Sequence, residues 1–206
     1  MPNHPYAKLL IGAAFSLDRD TIVVAKGRVP GAGGKLFIER SADKPLPPPF
    51  DLRCEPGNPG SVPDFPPHTD ATAFLQVDGG LGGTIQLRHA DHGKADIAIQ
   101  PLTDDLTMSS GWAAGRNTAP ETKVSVLGLM IAPTAGYRFR LEKASPQGIN
   151  PQILLLKLSI DSPTGGVPQV ITPVVVSFEE CDTDKFTDVE IMAGGSHCTF
   201  PIGNPQ

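Results

Sequence analysis

Residues 85–99 read IQLRHADHGKADIAI, and this stretch decides the fold class. Ile85 and Leu87 alternate with polar residues, a turn-forming Asp-His-Gly follows, and Ile97 and Ile99 restore the alternation. Apolar residues at every second position indicate half-buried strands, because successive side chains of a strand point to opposite faces. Two such strands joined by a turn that contains glycine predict an antiparallel β-hairpin.

The same alternation continues through most of the chain. Tyr137, Phe139 and Leu141 alternate with charged residues, which predicts a strand with one wet face. The run 153–160 is apolar on one face and partly apolar on the other, as in a central strand. Pro173 cannot donate a backbone hydrogen bond, so its strand is predicted to lie at an edge or to carry a bulge. Further strands are predicted at about residues 7–16, 21–27, 35–40, 73–78, 84–90, 95–100, 123–131, 170–178, 189–193 and 197–201.

Composition supports an all-β chain. The 22 glycines and 22 prolines make up about a fifth of the 206 residues, well above the usual share, and argue for many short elements joined by turns. No window of eleven residues has the 3.6-residue period of a helix. The sequence therefore predicts an all-β fold in a single domain over residues 1–206, an antiparallel β-sandwich of jelly-roll type, with a barrel as the alternative.

One segment, residues 41–71, departs from this pattern and holds nine of the prolines. Three consecutive prolines at 47–49 favour the extended polyproline II conformation. The segment is predicted to be an ordered arm that packs on its own domain or on a second subunit, with a linker as the alternative. Phe50 and Phe65 are its predicted partner contacts, and deletion of residues 41–67 is expected to leave the remaining sheet folded.

Charge and hydropathy exclude several classes of protein. The net charge is −5, which argues against a nucleic-acid-binding protein. No run of 18 apolar residues is present, so the sequence predicts a soluble chain with no transmembrane segment. The apolar stretch 9–15 is short for a secretory signal and is better interpreted as a first buried strand. Three cysteines are too few for a disulfide scaffold, which favours the cytoplasm over secretion, although a Cys181–Cys198 bridge stays open.

The hairpin at residues 85–99 also carries the strongest candidate metal site. His89 and His92 offer imidazole nitrogens, which bind zinc, copper and nickel, and Asp91 or His68 could complete the ligand set. The alternative is a histidine at the end of a strand beside an exposed histidine in a turn. If a zinc ion with an open position bound here, the protein would be a small metal-dependent hydrolase.

A second candidate site is the acidic stretch at residues 182–190. Asp182, Asp184 and Asp188 provide the oxygen ligands that calcium prefers, but a solvated acidic turn explains the same residues. Trp112, the only tryptophan, lies among small residues, where it either contacts a ligand or partner or plugs the end of the fold.

No catalytic residue and no particular cofactor are predicted, since neither a nucleophile motif nor a phosphate-binding glycine loop is complete. The sequence therefore favours a non-catalytic binding or assembly module, homo-oligomeric through the arm. The metal-dependent protein is the alternative, and neither reading identifies a small-molecule ligand.

Overall fold

A computed structural model describes residues 4–17, 19–42, 49–58, 68–81, 83–90, 93–102, 111–117, 122–182 and 185–203. The all-β prediction is confirmed, with 68% of the residues in strands and 1% in helix. Within this described part of the chain, no helix is long and apolar enough to cross a membrane.

The chain divides into two compact units, Met1–Pro101 and Leu102–Pro205. The single domain over residues 1–206 stays a prediction. Each unit has a hydrophobic core of its own. The first contains β1 (Lys8–Leu17), β2 (Asp20–Pro30), β3 (Lys35–Arg40), β4 (Pro49–Glu55), β5 (His68–Asp78), β6 (Thr84–Arg88) and β7 (Lys94–Pro101). The second contains β8 (Trp112–Asn117), β9 (Lys123–Ala132), β10 (Arg138–Lys143), β11 (Ile153–Asp161), β12 (Thr172–Cys181), β13 (Asp188–Ala193) and β14 (Ser196–Pro201).

The first unit is a seven-stranded sheet with the order β3-β4-β6-β7-β1-β2-β5. Its end strands β3 and β5 approach each other, so the sheet is partly barrel-like. The predicted hairpin is confirmed as β6 and β7, which pair from Thr84 with Ala98 to Arg88 with Lys94. β1 lies between β7 and β2, which confirms that the apolar stretch 9–15 is a buried strand.

The prediction of a purely antiparallel sheet is wrong in three places. β1 pairs with β7, β4 with β6, and β11 with β13 in parallel. Periodicity reports which residues of a strand are buried and not the direction of its neighbour, so it cannot distinguish the two kinds of pairing.

The described part of the proline-rich segment is not an irregular arm. Its residues 49–55 form β4, which pairs with β3 on one side and β6 on the other. Phe50, Leu52 and Cys54 are fully buried in the core of the first unit. The assignment of Phe50 as a partner contact is therefore corrected, since its ring is enclosed by its own unit. Phe65 lies outside the described residues.

The second unit contains a four-stranded sheet, β10-β11-β13-β14, and a three-stranded sheet, β12-β9-β8. Both contribute to one core, in which Trp112 and Val126 of the smaller sheet meet Leu156 and Ile191 of the larger. β11 is central and β12, which carries Pro173, is an edge strand, as predicted. The sandwich and jelly-roll descriptions stay predictions.

We expect Leu52→Ala to lower the free energy of unfolding by about 3 kcal/mol, because it leaves a cavity among fully buried side chains.

Deletion of residues 41–67 should unfold the first unit, since it removes a strand paired on both sides. Urea denaturation followed by circular dichroism tests both, and Phe74→Ala is the control, because that ring is 56% exposed. A folded deletion variant would contradict the central position of β4.

Candidate functional site

His89 of the predicted metal site has a structural role in the β6–β7 turn. Its backbone N–H donates to the carbonyl of Gly93 at 3.0 Å. A Cβ placed on Gly93 would lie 2.1 Å from Cε1 of His89, so the imidazole ring packs directly against the glycine. Position 93 therefore requires glycine, because a larger side chain would collide with the imidazole ring of His89.

The other predicted metal ligands are not brought to His89 by the described residues. Asp91 and His92 lie outside the described part of the chain, as does the side chain of His68. The backbone of His68 begins β5, which is not a neighbour of β6 in the sheet. Among the residues the structure describes, no three His, Cys, Asp or Glu side chains are grouped to hold a metal. Metal binding at this hairpin stays a prediction.

Trp112 lies in strand β8 and not in a loop. Its side chain is 6% exposed and belongs to the core of the second unit, which corrects its assignment as a ligand or partner contact. It pairs with Gly128 of β9, where an added Cβ would lie 2.3 Å from the indole ring. The ring covers the glycine, so the absent side chain of one strand is replaced by the aromatic ring of the next.

Asp182 is buried and forms an ion pair with an arginine, so its carboxylate is not accessible to a calcium ion. Arg116 of β8 donates to its carboxylate from Nε at 3.0 Å and from Nη2 at 2.8 Å. The same guanidinium donates to the carbonyl of Phe186, and the N–H groups of Lys185 and Phe186 donate to Asp182 Oδ1. Asp188 instead accepts a hydrogen bond from Thr187 at 2.6 Å, and Asp184 lies outside the described residues. Asp182 therefore fixes the loop between β12 and β13. Its prediction as a calcium ligand is corrected, because its carboxylate is already paired within the fold.

The pKa of Asp182 shows that the carboxylate form is the one stabilised. Burial by itself raises the pKa of this carboxyl, but the hydrogen bonds from Arg116, Lys185 and Phe186 outweigh burial and lower the pKa below its usual value. Such a carboxylate is a charged partner for arginine and a poor proton donor near neutral pH.

A comparable cluster in the first unit surrounds Asp51, which is 4% exposed. Arg88 Nε lies 2.6 Å from one of its oxygens and Arg53 Nη2 lies 3.0 Å from the other. Arg53 also stacks on the ring of Tyr6, at 3.6 Å from the ring centroid, and donates to the carbonyl of His4 at 2.9 Å. Two arginines, one aspartate and an aromatic ring connect the N-terminal residues to β4, which is a stabilising arrangement.

The three cysteines are free thiols. Cys181 and Cys198 lie on β12 and β14, which belong to different sheets. Burial raises the pKa of Cys54 and is also the main cause of the raised pKa of Cys198. A raised pKa disfavours the thiolate, which is the nucleophilic form.

A depression with a volume of about 300 Å³ lies at the β13–β14 turn. Lys157, Leu158, Met192, Ala193, Ser196 and His197 surround it, together with the turn glycines Gly194 and Gly195. Lys157 lies beside Met192, and Met192 lies beside His197, in the pairing of three adjacent strands. Side chains in register on adjacent strands share a face, so a cation, a thioether and an imidazole form one row.

Sequence reasoning did not identify this row as a site. The turn after Ala193 and the polar character of Lys157 are visible in the sequence. The neighbouring position of Lys157 and Met192, however, depends on a parallel pairing between residues that are 35 positions apart. Comparison of the chain with known families, curated proteins and solved structures finds no match.

We expect Asp182→Asn to lower the free energy of unfolding of the second unit by about 3 kcal/mol at neutral pH, because Arg116 loses its buried counter-charge. The stabilisation by Asp182 is complete above the pKa of the unfolded chain, about 3.9, and is lost as the pH falls through the lower pKa of the folded state. The difference between the two proteins should therefore disappear in acid.

The fluorescence of Trp112 measures this, because the only tryptophan lies in the affected core. Asp161→Asn is the control, since its ion pair with Arg140 is largely exposed and should contribute little. An equal effect of the two variants would contradict the structural role of Asp182.

Gly128→Ala should destabilise the second unit by about 2 kcal/mol, because its Cβ would overlap the indole ring of Trp112. In a Trp112→Leu background the same substitution should cost less, since the overlapping ring atoms are removed. A thermal-unfolding double-mutant cycle measures the difference. Purely additive effects would show that the ring and the glycine are not in contact.

Proposed function

We propose that the protein is a non-catalytic binding or assembly module that forms homo-oligomers. The observation that carries this proposal is an exposed apolar pair, Val170 and Ile171, whose exposed fractions are 58% and 64%. The pair lies directly before β12, an edge strand of its sheet. Two adjacent large apolar side chains at a sheet edge favour association, because contact with another apolar surface removes them from water.

A second copy of the chain is the partner that this surface fits best. Every copy carries the same apolar pair, so a twofold contact would bring like surfaces together. The segment is held by local hydrogen bonds, from Val170 N to the carbonyl of Pro168 at 3.0 Å and from Thr172 Oγ1 to the carbonyl of Val170 at 2.9 Å. A segment ordered in advance loses less entropy when it binds.

The ionisable groups support a non-catalytic protein. Asp51 and Asp182 are each held by arginine, and burial disfavours the thiolate at Cys54 and Cys198. The two aspartates therefore stabilise the fold through their contacts with arginine. The shared core of the two sheets in the second unit supports the β-sandwich as the scaffold of the proposed module.

This proposal moves the assembly contact away from the proline-rich segment. Phe50, Leu52 and Cys54 of that segment belong to the core of the first unit, whereas Val170 and Ile171 are accessible. The metal-dependent alternative stays a prediction, because His89 alone of its four residues has a described side chain.

Sedimentation velocity over a range of protein concentrations tests the proposal. We expect the unmodified chain to self-associate. The Val170→Ser/Ile171→Ser variant should have a dissociation constant more than about tenfold higher, because two apolar side chains are lost from the contact. Ile149→Ser is the matched control, since Ile149 is fully exposed but lies in the loop between β10 and β11. A monomeric chain at about 100 µM, or an unchanged double variant, would contradict homo-oligomerisation through this pair.

A further inference from the structure

The turn between β13 and β14 determines which residues of this hairpin exchange backbone hydrogen bonds. Its two glycines, 194–195, have positive φ angles of 53° and 93°. Positive φ at both central residues is typical of a type I′ turn, whose flanking residues, here Ala193 and Ser196, form a hydrogen-bonded pair. At the other end of the ladder, Ile202 N donates to the carbonyl of Thr187 at 2.9 Å, which agrees with hydrogen bonding at the odd-numbered residues on the β13 side.

Met192 and His197 are the first pair of this hairpin that exchanges no backbone hydrogen bonds. Antiparallel pairs alternate between the two kinds, and Met192 lies opposite His197, next to the flanking pair of the turn. The Cα atoms of such a pair lie about 4.5 Å apart, closer than in a hydrogen-bonded pair. Both side chains border the depression at the turn, where the glycines add no side chains that would block access. The geometry therefore brings a thioether and an imidazole together at one opening.

This pair lies on the outer face of the sheet. Ile191 of β13 belongs to the buried core, and Cys198 of β14 packs against that core. Successive residues of a strand point to opposite faces, so Met192 and His197 point away from the core. His197 is exposed and Met192 is half-buried. Within the described residues, neither side chain forms a hydrogen bond or an ion pair, so the sulfur and the imidazole are available to bind a ligand.

The charged residues next to the pair favour a cation as the ligand. Glu190 precedes Met192 by two positions and lies on the same face, diagonally across from His197. Lys157 lies beside Met192 in the parallel pairing with β11, but Glu142 lies opposite this lysine on β10 and offsets its charge. Two carboxylates and one ammonium group give this part of the face a net negative charge.

We propose that Met192 and His197 bind a soft monovalent metal cation, Cu(I), with one ligand from each strand. Thioether sulfur is a soft ligand that selects Cu(I), and imidazole also suits copper, whereas zinc takes thiolate, imidazole and carboxylate ligands. A monovalent ion with a filled d shell accepts a low coordination number, so a pair of neutral ligands can hold it. This proposal goes beyond assembly through Val170 and Ile171 and uses a different surface, so either can fail alone.

The test follows the methyl signal of Met192 by nuclear magnetic resonance in the full chain labelled with ¹³C-methyl methionine. The probe is Ag(I), which has the charge and ligand preference of Cu(I) but is not oxidised in air, in a nitrate buffer without chloride. Cys181→Ser and Cys198→Ser are introduced together, because accessible thiols would compete for the ion. We expect the Met192 signal to shift with a dissociation constant of about 10 µM or lower. Met130, which is buried in the core, provides a methyl signal that should not shift.

Variants in the same background test the second ligand and the sign of the charge. His197→Gln should weaken Ag(I) binding about tenfold or more, and His4→Gln is the matched control, since that ring contacts Phe37 in the first unit. Lys157→Gln should strengthen binding about twofold, because a nearby positive charge is removed. Circular dichroism verifies that each variant is folded.

Zinc distinguishes the soft site from a general affinity for metal ions. Zn(II) should bind at least about tenfold more weakly than Ag(I), because the thioether is not one of its usual ligands. Absence of a Met192 shift at about 1 mM Ag(I), an unchanged affinity in His197→Gln, or Zn(II) binding as tight as that of Ag(I) would overturn the proposal.

Discussion

Every strand leaves a row of backbone N–H and C=O groups on each side, and the architecture depends on how these groups are paired. In the first unit the sheet curls until β3 approaches β5. Where β4 and β6 diverge, the N-terminal residues fill the gap, since Ala7 N donates to the carbonyl of Leu52 and Ala90 N donates to that of Ala7. The first residues of the described chain are thus part of the sheet, and the ion pairs around Asp51 hold them in place.

The second unit solves the same problem with side chains. At Leu155 the side chain of Gln147 takes the place of a strand: its Oε1 accepts from Leu155 N at 3.1 Å, and its Nε2 donates to the Leu155 carbonyl at 2.7 Å. Pro173 removes a donor from the edge strand β12, and Arg116 with Asp182 fixes the loop that leads from β12 to β13. The charged groups at these positions stabilise the fold, so Asp182, a candidate calcium ligand in the sequence, has a structural partner in Arg116.

Sequence reasoning locates twelve of the fourteen strands in the described part of the chain, because each of the twelve shows a local alternation or apolar run. β4 was missed because the prolines before it dominate the segment, although Phe50, Leu52 and Cys54 alternate with polar residues. β8 was missed because Trp112 is its only residue with a clear strand preference, and the ring replaces a side chain that Gly128 lacks. The role of His89 was also missed, because its contact with Gly93 depends on the shape of the turn rather than on residue type.

The end of β11 illustrates why some features of a sheet are hidden from sequence. β11 has nine residues and β13 has six, and they begin in register with Ile153 beside Asp188. The longer strand therefore extends three residues, 159–161, beyond the last residue of the shorter one. Neither strand shows this by itself, because the overhang is a property of the pairing between them. A difference in length between two parallel neighbours is therefore sufficient to leave the end of the longer strand without a partner on that side.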